Sequence, residues 1–213
     1  MEILKKIVFI SFLLTLSSQV YSQSELSDIK NKKTIVAIIN LDCPFCKASF
    51  KNYEYAQQQF SNSNVNFVVA PIPSNLKNIL RELIYYITKE KKSKKQAMLV
   101  LDAFYRMNKD YKFEKLDEYI AYLISKYPNY EWKFIFNEYE NLYYGKTDIG
   151  MKQLEKALSL MKLAGVTSYP AYVRIENGGA TRIIPSEKLD GTKEEITVKA
   201  LNYLKETIKR ETK

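Results

Sequence analysis

"TIVAIINLDCPFCKASF", residues 34–50, joins a strand pattern, a cysteine pair and a helix start in one short run. Its first seven residues, 34–40, are apolar and β-branched with no alternation, which suits a fully buried strand better than a helix. The only two cysteines of the chain, Cys43 and Cys46, follow at once. Pro44 then stands where a first helical residue belongs, opening a helical pattern over 44–60. "NVNFVVAPIP", 64–73, reads as a second buried strand ended by prolines. Strand, helix and strand in such close order make a βαβ unit, with parallel strands and a right-handed crossover.

Beyond residue 73 the periodicity changes. Leu76, Ile79, Leu80, Leu83, Ile84 and Ile87 mark one face of an amphipathic helix, and further helical patterns cover 94–107, 113–127, 131–144 and 149–164. No Gly- or Pro-rich linker sets this block apart, so it reads as an insertion packed on the first unit, spanning about 74–164. Strand signals return in "PAYVRIEN", 170–177, and "ATRIIP", 180–185, around a Gly178-Gly179 hairpin turn. A last helix opens after Gly191 with Thr192 and Glu195 at capping-box spacing. The order is βαβ, helices, ββα: an α/β fold with an all-helical insertion, occupying residues 23–213.

Residues 1–22 read as a secretory signal peptide. Lys5 and Lys6 precede an apolar run, Ile7–Leu16, and small residues around Val20 and Ser22 suit cleavage before Gln23. A spanning helix wants about 20 apolar residues, twice what this run offers. The expected location is periplasmic or otherwise extracytoplasmic, where thiols are not kept reduced.

The 213 residues carry 33 basic and 24 acidic side chains, a formal charge of +9. The densest basic run, "KEKKSKK" at 89–95, is expected as a solvated loop, and no basic-aromatic motif supports nucleic-acid binding. Histidine is absent, which removes imidazole catalysis, Ser-His and Cys-His pairs, and the commonest metal ligand. The aromatic stripe Tyr119, Ile120, Leu123 and Tyr127, with Trp132 and Phe134, has the spacing of core more than of a binding groove.

With two cysteines and no histidine, a structural zinc site lacks its four usual ligands, and an iron–sulfur cluster fails on the same count. No metal is expected. A structural staple across two intervening residues would close a tiny loop, where the chain-entropy gain of a disulfide is smallest. Placement after a buried strand and at a helix N-terminus favours redox chemistry instead. Unpaired N–H groups and the helix dipole there stabilise an anion, and a thiolate is what attacks disulfides. Cys43 is the candidate nucleophile, and Cys46, one turn further in, the candidate resolving cysteine.

The βαβ unit with Cys-X-X-Cys after its first strand, followed by "GVTSYPAYV" at 165–173, resembles the thioredoxin superfamily. The helical block makes it most similar to the DsbA-like branch of exported thiol–disulfide oxidoreductases. That resemblance covers 34–60 and 164–210; between them only the helical character matches. It implies a cis-proline loop at Tyr169-Pro170 facing Cys43 and Cys46, with Pro44 and Phe45 inside the motif. The Tyr169 backbone would receive an extended substrate segment; its ring would wall the site or pack behind it. The resemblance implies no metal and no organic cofactor, protein thiols or disulfides as substrates, and a membrane or periplasmic redox partner that resets the pair. A monomer is expected. Isomerases of this kind carry a dimerisation segment ahead of the fold, for which Gln23 to Lys33 is short.

Three positions depart from the family pattern. Ala37 stands where many relatives bury an acid in the strand, and Phe45 where DsbA-type oxidants often have histidine. Asp42, beside Cys43, is expected to disfavour the thiolate. A moderately activated Cys43 follows, with oxidase and reductase directions both open. The alternative functional class is a binding or chaperone-like module with an incidental disulfide.

Overall fold

The computed structural model describes residues 33–75, 79–107, 113 and 115–213. The signal-peptide pattern at 1–22 lies outside the described residues.

Among the described residues four strands form one sheet. β1 is Thr34–Asn40, β2 Asn66–Ile72, β3 Ala171–Glu176 and β4 Gly179–Ile183, in the order β2-β1-β3-β4. β1 runs parallel to β2, with Val36 opposite Val68, and antiparallel to β3, with Val36 opposite Val173. All seven residues of β1 are buried. Since alternate residues of a strand point to opposite sides, both faces of the sheet are covered at its centre. Pro71 sits inside β2 opposite Ile39. That is tolerated because β2 is an edge strand.

Eight helices are present among the described residues: α1 Pro44–Phe50, α2 Tyr53–Asn62, α3 Leu80–Lys91, α4 Lys94–Arg106, α5 Leu116–Lys126, α6 Phe134–Tyr143, α7 Met151–Leu163 and α8 Lys193–Glu211. They fall into two packed groups. α1 and α2 lie against α8, while α3 packs on α4, α6, α7 and β2. Among its described residues the insertion between β2 and β3 has helices and no strand, and it rests on the sheet edge that the βαβ unit provides.

Several expectations need correction. The single helix over 44–60 is two helices, broken at Lys51 and Asn52, where the Asn52 N–H turns to the Ser49 carbonyl at 3.0 Å. No Gly or Pro announces that break. The hairpin turn is Asn177-Gly178, both at positive φ (52° and 77°), and Gly179 is already in β4 opposite Glu176. This is the Asn-Gly pairing that two-residue hairpins favour. The basic run at 89–95 is not a solvated loop. It ends α3 and opens α4 on Ser93, whose hydroxyl accepts the Gln96 N–H, and the Lys94 ammonium donates to the Phe67 carbonyl.

α3 also differs from the one-sided amphipathic helix expected. Residues Glu82, Leu83, Ile84, Tyr85, Tyr86, Ile87 and Thr88 are all buried in succession. A helix apolar all round is a buried helix, and the run "LIYYI" at 83–87 has that composition. Gly150, at φ 77°, lets α7 start against α3: a Cβ there would stand 3.0 Å from Ile87 Cγ1. In the aromatic stripe Tyr119, Ile120, Leu123 and Trp132 are core, while Tyr127 and Phe134 pack at its margin.

Candidate active site

Cys43 is the N-cap of α1, with extended backbone (φ −81°, ψ 115°) and Pro44 following it in the first turn. Its sulfur accepts the Cys46 N–H at 3.2 Å, and as a thiol it donates to the Tyr169 carbonyl at 3.6 Å. The Tyr169-Pro170 peptide bond is cis. So the β1–α1 turn and the loop before β3, 126 residues apart, meet at one sulfur. The sheet brings them together, because β3 pairs directly with β1 and Ala171 lies opposite Ile38.

The two thiols are unequal. Cys43 is half-buried and its pKa is lowered to about 7, first by the Cys46 thiol as hydrogen-bond donor, against partial desolvation, and then by the Cys46 and Phe45 N–H groups. Cys46 is fully buried, and burial pushes its thiol well up, reinforced by the neighbouring Cys43 sulfur. One sulfur is poised to ionise near neutrality; the other is held as a thiol. The pair is unbonded in this structure.

Pro44 is exposed and Phe45 half-buried, both on α1 beside Cys43. The Tyr169 ring is half-buried, and its hydroxyl contacts the Met161 sulfur at 3.3 Å. It packs on the end of α7 while its carbonyl faces Cys43. Pro170 is buried behind the loop.

The structure adds residues that the sequence reading passed over. Asp42 is not an unshielded charge beside Cys43. Its carboxylate receives the Ser74 hydroxyl at 2.6 Å and pairs with Arg81 of α3 at 2.9 Å. Asn40 completes the clasp: its Oδ1 accepts the Asp42 N–H at 2.8 Å, and its amide donates to the Ile72 carbonyl and to Ser74. The turn before Cys43 is thus tied to both the end of β2 and the insertion. Asp42, Ser74 and Arg81 have no spacing that announces this.

Behind Cys46 lie three buried tyrosines, Tyr53, Tyr105 and Tyr172, all within its electrostatic reach. The Tyr53 and Tyr172 hydroxyls stand near each other and near Ser49 without closing a hydrogen bond. Tyr105, from α4, places its ring 5.1 Å from Phe50 of α1 and donates to the Asn40 carbonyl at 3.4 Å. That same carbonyl accepts the Cys43 N–H. Ala37 is buried in β1 opposite Tyr172 and brings no acid to the site.

No cluster of three metal-ligating side chains occurs among the described residues. No described helix is long and apolar enough to cross a membrane.

Comparison with solved structures rests on this architecture. DsbA from Pseudomonas aeruginosa superposes with a TM-score of 0.53 at 21% identity, covering 84% of this chain and 85% of that one. The oxidoreductase DsbA from Xylella fastidiosa gives 0.54 at 14% identity, with 84% and 86% covered. Oxidised BdbD from Bacillus subtilis gives 0.52 at 16% identity, with 84% and 87% covered. The chain has the DsbA-like thioredoxin fold. The thioredoxin part is βαβ plus ββα, and the DsbA-like part is the helical insertion between them, over nearly the full length of those proteins. No family model and no curated protein sequence matches the chain.

Proposed function

We propose that the protein is an extracytoplasmic thiol–disulfide oxidoreductase acting on protein substrates through Cys43 and Cys46. The observation that carries this reading is the asymmetry of the pair: a helix-capping Cys43 that ionises near neutrality beside the cis-Pro loop, and a Cys46 that is buried and held protonated. A staple or a passive binding module needs no such division.

In the reductive direction the Cys43 thiolate attacks a substrate disulfide. One substrate sulfur bonds to Cys43 and the other leaves with the electron pair. Cys46, after losing its proton, attacks the Cys43 sulfur, and the second substrate sulfur leaves as a thiolate. The oxidative direction is the reverse. Pro170 and the Tyr169 backbone, 3.6 Å from Cys43 through its carbonyl, would align an extended substrate segment by strand-like hydrogen bonds. Neither step calls for a metal or an organic cofactor, since the two sulfurs carry the electrons. The protein acts as a monomer, and a separate membrane or periplasmic protein resets the pair. The signal pattern at 1–22 supports export.

A nucleophile near 7 resembles that of thioredoxin-type pairs, about 7, more than the strongest oxidants, about 3.5. A less stabilised thiolate means a less stabilised dithiol, so the potential is expected nearer about −270 mV than about −120 mV. Equilibration in thiol–disulfide buffers, with the oxidised fraction read by alkylation, measures it. In an insulin-reduction assay Cys43→Ser loses turnover; turnover unaffected by that change rejects the enzyme reading.

A further inference from the structure

The cysteine turn carries one acidic side chain, Asp42, and its charge is already answered. Arg81 pairs with it at 2.9 Å and Ser74 donates to it at 2.6 Å. α1 has no acid in its first turn. Lys47 and Lys51 follow Cys43 at intervals of four residues, and both are exposed. The Lys47 N–H donates to the Cys43 carbonyl at 3.1 Å, so the helical spacing starts at the capping cysteine itself. Residues four apart share a helix flank. The two ammonium groups therefore lie along the flank of α1 that begins at the sulfur.

The wall across from α1 is basic as well. The Tyr169 hydroxyl meets the Met161 sulfur at 3.3 Å, which sets the exposed Lys162, at the end of α7, beside the loop that carries the cis bond. That loop, residues 164–170, has no charged side chain of its own. Arg182 of β4 supports it, donating to the Gly165 carbonyl at 3.3 Å and to the Ser168 hydroxyl at 3.0 Å. Other bases are answered by a neighbour, as Lys91 is by Glu138, Lys92 by Glu131 and Lys199 by Asp190. Lys47, Lys51, Lys162 and Arg182 make no ion pair among the described residues.

Resting on the redox reading above, we propose that the substrates are acidic: protein segments whose cysteine is flanked by Asp or Glu, guided to Cys43 between Lys47 and Lys51 on one side and Lys162 and Arg182 on the other. An extended segment rises about 3.3 Å per residue, so side chains two to four positions from its cysteine reach about 7–13 Å to either side. That is the range over which unlike charges still act at physiological ionic strength. Opposite charge at the mouth of a site raises the encounter rate, rejects like-charged partners and fixes the docked register. The whole chain has the same sign, 33 basic against 24 acidic side chains, so an acidic partner is drawn from a distance and then oriented at the rim. The four bases act on the approaching segment and not on the nucleophile, whose shift comes from the Cys46 and Phe45 groups and from burial. The exchange of sulfurs itself is the one already described.

The test uses peptides with one cysteine each, held as the mixed disulfide with 2-thiopyridine. They differ only in the residues on either side of the cysteine, which are Glu, Gln or Lys. Each is mixed with the full-length dithiol protein at low salt, and release of thiopyridone on attack by Cys43 is followed by stopped flow. The Glu peptide is expected to react about 10-fold faster than the Gln peptide, the low end of electrostatic steering, and the Lys peptide more slowly than either. At about 1 M salt, where screening acts within about 3 Å, the rates converge. In Lys47→Gln/Lys51→Gln/Lys162→Gln the ratio of Glu to Gln rates falls toward one. In Lys47→Glu/Lys51→Glu/Lys162→Glu the order inverts and the Lys peptide is fastest, a result that misfolding cannot give. Arg182 stays in place because it also holds the loop. Equal rates at low salt overturn the proposal, as do a preference for the Lys peptide, a preference that persists at high salt, or one that neither set of substitutions moves. If no peptide releases thiopyridone, the redox reading itself fails.

Discussion

The thioredoxin core and the helical insertion contribute different things to one site. The core supplies the geometry of the proposed redox pair: Cys43 and Cys46 on the β1–α1 turn, and the Tyr169 carbonyl from the loop before β3. The insertion supplies the charge behind that geometry, with Arg81 on Asp42 and buried Glu82 near Tyr105. Main-chain groups and sulfurs at a sheet end are set by backbone topology. Isolated charges in an apolar helix are set by what the helix is packed against. The insertion thus ties down the cysteine turn through the Arg81–Asp42 pair as well as covering it.

That division can be broken first at Glu82. Its folded pKa, about 7, lies above its ordinary 4.5. Below 4.5 both folded and unfolded chains hold the proton and the group has no effect. As pH rises from 4.5 to about 7 the unfolded chain ionises first, so stability falls, and it levels off above 7. At about 1.36 kcal/mol per pH unit the loss amounts to about 3 kcal/mol. Denaturant unfolding at pH 4.5 and pH 8 should show this difference in the unaltered protein and a much smaller one in Glu82→Gln. Equal pH slopes in the two proteins would mean that the insertion's charge is not held in the core.

A second, smaller effect probes the core side. Replacing Cys46 with Ala removes the donor that does most to lower Cys43. The pH midpoint for alkylation of Cys43 by iodoacetamide should then move up from about 7 toward the ordinary thiol value of 9.0. Arg81→Gln should leave that midpoint in place, because the Cys43 thiol is shifted by the Cys46 and Phe45 groups and its own burial. A midpoint that followed Arg81 instead would merge the two regions electrostatically.

The smallest effect is on stability from the clasp itself. Asp42 is more than half exposed although Arg81 is not, and an ion pair with one solvated partner is worth about 0.2–1 kcal/mol. Arg81→Gln should cost no more than that in urea unfolding, with the loss shrinking in high salt. A loss of several kcal/mol would show that the insertion docks through this contact and not through its apolar packing.

Much of this molecule is legible from residue order because its signals are local. The buried strand at 34–40, the cysteine spacing with Pro44, the Thr192–Glu195 box and the return of strand patterns after Pro170 each occupy a few consecutive residues. Other features were misread for want of a local signal. The helix break at Lys51 and Asn52 carries no Gly or Pro. Asp42 reads as a charge against the thiolate until Ser74 and Arg81 are seen to hold it. Glu82 looks like a polar position of an amphipathic helix, although the unbroken apolar run after it was a sign that α3 is enclosed.

By itself, then, the sequence determined the strand–cysteine–helix unit, the helical character of the block that follows, and the identity of the two sulfurs, since periodicity and spacing act over one or two turns. Only the tertiary structure decided that Tyr169 meets Cys43, that Tyr105 backs the cysteine turn, and that Glu82 is shut in without a partner. Those facts depend on chain segments tens to more than a hundred residues apart, brought together by sheet pairing and helix packing. The pKa of a carboxyl or a thiol follows from what surrounds it in space, and no run of neighbouring letters records that.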